Sequence, residues 1–207
     1  TMRRSSFPGP RMWRWPMTSS MVRGRMRAES GSTARLAAGL LWPRRPASAR
    51  ERAVACLRVR VLNRLTYINY SFSLTRAVTT HLAALAAAGR VPTTRDAAET
   101  FAHHGPLFAG HLPASARHHA RRAVAVCRRE GHLAMQMTAE FMAGMCFTFQ
   151  ARWDEATAHF RAAIALYPRV GDLPVLQTAH ENLAYVLLYR GDHDLALAEA
   201  AHALALA

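Results

Sequence analysis

The chain has 207 residues, 51% of them hydrophobic, which suffices for a sizeable helical core. No apolar run approaches the ~18 residues of a membrane span, and three widely spaced cysteines without C-x-x-C argue against a disulfide framework and for reduced thiols in a cytoplasmic setting. All 27 basic side chains are arginine, and the net charge of +14 is uneven: residues 1–65 hold 15 arginines against Glu29 and Glu51, whereas residues 66–207 hold 12 against 11 acids.

Residues 1–49 mix Arg, Pro, Ser and Trp without helical or strand period, and this composition predicts a disordered basic segment. Arg3-Arg4-Ser5-Ser6-Phe7 has the outline of a twin-arginine signal, but the apolar stretch at 36–42 is short and runs into Arg44-Arg45. Arginines near Trp13, Trp15 and Trp42 offer a nucleic-acid-binding arm as an alternative. A mis-assigned gene start would look the same. Thr1 is no initiator and the chain stops inside a helical pattern, so a piece of a longer protein is expected.

Helical patterning begins near residue 50. The first expected helix, 50–70, aligns Val54, Leu57, Val61, Leu65 and Ile68 on one face, and a second spans 71–88 before Gly89 and Pro92. Thr93-x-x-Asp96 resembles a capping box opening a helix to about His104, with Gly105-Pro106 as its terminator unless LFAGHL prolongs it. Further helices are expected at 114–129, 132–150, 153–166 closed by Pro168, 175–189 and 193–207. The sum is four helix pairs in residues 50–207 and no strand.

Within these helices small residues recur at an interval of forty: Ala116, Ala156 and Ala196, then Ala123, Ala163 and Ala203, with Ala120, Phe160 and Ala200 between. Such a period marks stacked helix pairs. The segment GMCFTFQARWDEATAHFRAAIALYP, residues 144–168, resembles a tetratricopeptide repeat through Gly144, Phe147, Trp153, Ala156, Phe160, Ala163 and Pro168. The next copy matches at Leu183, Ala184, Leu187, Gly191, Ala196 and Ala203, but His193 stands where an aromatic is usual and Ala200 replaces Phe. The region before them loosely resembles the helices that follow an ATPase module in large bacterial signalling proteins. The resemblance implies an all-α, tetratricopeptide-like solenoid with a period of about forty.

No catalytic constellation competes with this reading. His103, His104, His111, His118 and His119 cluster in sequence, but without H-E-x-x-H or a cysteine pair they read as helix-surface or turn residues, so no metal or cofactor is expected. Asp154-Glu155 read as helix-start charges, and Arg121-Arg122 and Arg128-Arg129 as a solvated face. There is no G-x-x-x-x-G-K-[ST] and no G-x-S-x-G.

The tetratricopeptide resemblance implies a groove lined by the first helix of each pair. That places Thr138, Phe141, Met145 and Phe149 on it in one repeat, and Thr178, Glu181, Asn182, Tyr185 and Tyr189 in the next. Asn182 matches a position where family members use asparagine to bond a peptide backbone. Met135, Met137, Met142 and Met145 read first as core filling. The expectation is therefore a non-catalytic protein-interaction module of a larger cytosolic regulatory protein, whose partner is a protein, a peptide or another domain of the same polypeptide. The alternatives are the helical regulatory region of an ATP-dependent signalling enzyme and the arginine-arm nucleic-acid binder.

Overall fold

A computed structural model describes residues 48–207, so the readings made on the basic segment lie outside the described residues except at Ser48 and Ala49. Eight helices run in chain order: α1 Ala49–Phe72, α2 Leu74–Ala88, α3 Arg95–Phe108, α4 Pro113–Glu130, α5 Leu133–Thr148, α6 Trp153–Val170, α7 Leu173–Arg190 and α8 His193–Ala205. Among the described residues there is no strand, and no helix is long and apolar enough to cross a membrane.

Each helix packs back on the one before it within the couples α1–α2, α3–α4, α5–α6 and α7–α8. The couples join by one recurring rule. The first helix of each later couple touches both helices of the couple before it: α3 meets α1 and α2, α5 meets α3 and α4, and α7 meets α5 and α6.

The forty-residue alanines explain how the couples close. Ala116, Ala123, Ala156, Ala163, Ala196 and Ala203 are all buried, on the inward faces of α4, α6 and α8. A methyl group lets two helix backbones approach closely at little entropy cost. Phe160 fills the space this creates between α5 and α6, and it does so against a glycine. A Cβ at Gly144 would lie 2.6 to 2.8 Å from the Phe160 ring. Gly105 is the counterpart in α3, where a Cβ would stand 3.1 Å from that of Cys146 and 3.4 Å from that of Ala120.

That contact corrects the expected terminator. α3 runs through Gly105 and Pro106 to Phe108, and Gly105 serves helix approach rather than chain reversal. Pro168 likewise does not close α6, which continues to Val170 and ends at Gly171 with φ 72°. Both prolines sit in the last turn, where a missing N–H costs one backbone bond and leaves the rest of the helix intact. α5 stops at Thr148, short of the expected 150, because Ala151 turns left-handed at φ 54°.

A second correction concerns α1. Its aligned apolar face does not enter the core: Val54, Leu57, Val61, Leu65 and Ile68 are 44 to 61% exposed. The inward face is Ala55, Val59 and Asn63. Polar bonds hold α1 to α3 instead. Asn63 Nδ2 donates to the Asp96 carbonyl at 3.0 Å, Thr100 Oγ1 donates to Asn63 Oδ1 at 2.8 Å, and Arg60 grips Asp96 through two bonds of 3.1 Å. Ser48 and Glu51 form a reciprocal cap at its start.

Candidate binding groove

The clearest concavity lies on the last described couple. Where α6 carries Phe160, α8 carries Ala200, which is exposed. Beside it a cleft of about 610 Å³ lies between α7 and α8. Its floor is alanine, from Ala184, Ala196, Ala200 and Ala203, and its rims are Tyr185 and Leu188 on α7 and Leu197 and Leu204 on α8. Those four rim side chains are 50 to 78% exposed. Glu181 is the only charged residue of the lining, with Gln177 bonded to it at 3.2 Å and His193 at the far end. Such a surface offers apolar area and one negative charge.

Of the nine residues expected on the groove, Glu181 and Tyr185 line this cleft. Thr178 and Asn182 share α7 with them but turn their polar groups to their own helix. Thr178 Oγ1 donates to the Pro174 carbonyl at 2.8 Å, and Asn182 Nδ2 to the Thr178 carbonyl at 2.8 Å. Tyr189 stacks on Trp153, ring centres 5.7 Å apart and 12° from parallel. On α5, Thr138 bonds to the Ala134 carbonyl, Phe141 packs against Phe160 at 5.8 Å, Met145 is half-buried beside the core, and Phe149 is exposed. The α5 and α7 sets lie on touching helices, but the structure draws only Glu181 and Tyr185 into the cleft. Leu188, Leu197 and Leu204 belong to it and were not expected. No local motif in the sequence marked them as lining a cleft.

Two buried polar centres lie away from the cleft. Glu140, almost fully buried, is bound by Arg128 at 2.6 Å and by His159 Nδ1 at 2.7 Å, so Arg128 is a partner rather than part of a free solvated face. Further along, His81 Nε2 meets His104 Nδ1 at 3.1 Å, and His104 Nε2 meets Ser115 Oγ at 3.0 Å. His119 completes the stack, its ring 4.3 Å from that of His104 and its Nδ1–H given to the Ser115 carbonyl. Burial, helped by repulsion among the imidazoles, pushes His81 down to about 3 and His104 to about 4. The sequence cluster thus contributes His104 and His119 to a buried chain, joined by His81 from α2, which no local motif announced.

Among the described residues no group of three or more His, Cys, Asp or Glu is arranged to hold a metal ion. Cys127 and Cys146 are buried free thiols pushed up to about 12 and about 11 by desolvation, and Cys56 is half-buried. Met135 and Met137 are core residues, while Met142 and Met145 border it. Compared with family models, curated proteins and solved structures, the chain matches none.

Proposed function

We propose that this chain is a tetratricopeptide-like interaction module of a larger cytosolic regulatory protein, and that it works by holding a partner helix in the α7–α8 cleft. The observation that carries this reading is the cleft itself: an alanine floor, four uncovered apolar rim residues and one carboxylate. Contiguous apolar surface rimmed by polar groups is characteristic of interaction sites, and an amphipathic helix in a groove is a recurrent way to cover it. Alanines admit a helix close to the floor, and Glu181 selects a ligand with basic flanks. Nothing in this mechanism requires a covalent step.

The test uses a helical peptide with leucines at i, i+4 and i+7 and flanking arginines, titrated into the full chain and followed by NMR. Shifts are expected at Tyr185, Leu188 and Leu197. Leu197→Glu should weaken binding at least about tenfold with helicity unchanged, since a charge must then be desolvated on the rim. Tyr185→Ala should weaken it less, and Asn182→Ala least, because Asn182 is already bonded to its own helix. A peptide that shifts none of these residues would sink the reading.

A further inference from the structure

We infer that the helix received by this cleft is α1 of a second copy of the chain, so that copies join head to tail; the inference rests on the binding reading above and names its partner. Three observations meet here. The first is the junction rule: at every internal junction the first helix of a couple packs against both helices of the preceding couple. The α7–α8 cleft likewise lies against both helices of the last described couple, and it is uncovered among the described residues. α1 is the first helix of the first couple, and the side it turns away from α3 carries Val54, Leu57, Val61, Leu65 and Ile68 in one row. Five aliphatics at steps of three and four are the spacing by which a helix ridge enters a groove.

The second observation is charge. The couple α1–α2 holds six arginines against Glu51, a net +5, whereas residues 173–205, α7 and α8 with the turn between them, hold four carboxylates against Arg190, a net −3. Residues 49–207 together hold 17 arginines against 12 acids, so the two ends depart from that balance in opposite senses. Opposite potentials on two patches steer their encounter and fix its sense. The third observation is which charges are spent. Arg60 and Arg64 are engaged with Asp96 and Glu99, but Arg50 and Arg58, which flank the apolar row, take no part in the ion pairs among the described residues. Glu181 on the cleft and Asp194 at the start of α8 are likewise outside those pairs. The complementary surfaces are distinct, so the contact is heterologous and repeats in one direction.

The experiment is sedimentation of the full chain over a concentration series, with two variants. Mass should rise from 22.9 kDa toward its multiples, and association should weaken at least about tenfold near 1 M salt, where screening acts within ~3 Å. Leu57→Glu with Val61→Glu should stay at the monomer mass, and so should Leu197→Arg with Leu204→Arg. These positions are already exposed, so helicity should persist, as circular dichroism would check. Mixed, the two variants should form a capped pair of twice the single mass, because each keeps the surface that the other lost. An unassociated wild type at every concentration would overturn the inference. So would an α8 variant that still associates by itself, which would mean that α1 pairs with α1. If the chain stays monomeric while the test peptide still shifts Tyr185 and Leu197, self-association fails and the cleft stands. Silence in both experiments removes both.

Discussion

The couples α5–α6 and α7–α8 are two copies of one pattern, forty residues apart, and they end in opposite states. In the first, Gly144 gives way so that Phe160 can lie buried between helices. In the second, the counterparts are Ala184 and Ala200, and the space stays open to solvent. The turns differ in the reverse sense. Ala151 holds a left-handed conformation after α5 at φ 54°, where Gly191 holds the same region after α7 at φ 92°. The two couples thus share a register and differ in what fills the space between their helices: a buried ring in one, open solvent in the other.

The largest effect expected from breaking this contrast is at Phe160. Phe160→Ala should cost about 4 kcal/mol in urea unfolding, because a fully buried ring leaves a cavity that a stacked couple cannot easily collapse. Acid should come next and separate the ends of the molecule. The folded state keeps His81 and His104 neutral far below their ordinary 6.5, whereas the unfolded chain takes up protons there. Stability is therefore complete above pH 6.5 and falls as pH drops through 6.5 toward about 4, by about 2 kcal/mol for each imidazole at pH 5. Amide exchange should show α2 to α4 loosening first, since those helices hold the stack.

Reversing the contrast is a subtler measurement. Ala200→Phe combined with Ala184→Gly should close the cleft as Phe160 and Gly144 close the preceding couple. Affinity for the helical peptide should fall at least about tenfold, about 1.4 kcal/mol, without loss of stability. The smallest effect belongs to the turn. Ala151→Gly should raise stability by about 0.5 kcal/mol, the relief of left-handed strain outweighing the extra freedom of glycine in the unfolded chain. A destabilised Ala151→Gly would show that the turn is held by its surroundings instead.

Much of the helical layout was legible from spacing alone, since turn glycines and capping residues act locally. Gly131, Gly171 and Gly191 end helices as left-handed caps because only a residue without Cβ enters that region freely. What local signals could not tell was which of two meanings a residue carried. Gly105-Pro106 reads as a stop, yet Gly105 is where α3 meets α4 and α5. The row from Val54 to Ile68 reads as a core face, yet α3 meets the other side of α1, through Asn63 and Arg60. Periodicity shows that a helix has an apolar face; it does not say what covers it. The groove was legible in the same partial way. Glu181 and Tyr185 followed from register on α7, but Leu197 and Leu204 depend on a space that exists only once Ala200 is seen beside its neighbours.

Among the described residues each helix touches only helices one or two places away in the chain, and no contact ties the first couple to the last. Such a molecule has no keystone. Drawn apart by its ends, it would give way one couple at a time, each step nearly independent of how many couples remain. Its resistance to force would be a staircase of small drops rather than a single rupture, and each couple let go could close again on the neighbour still standing.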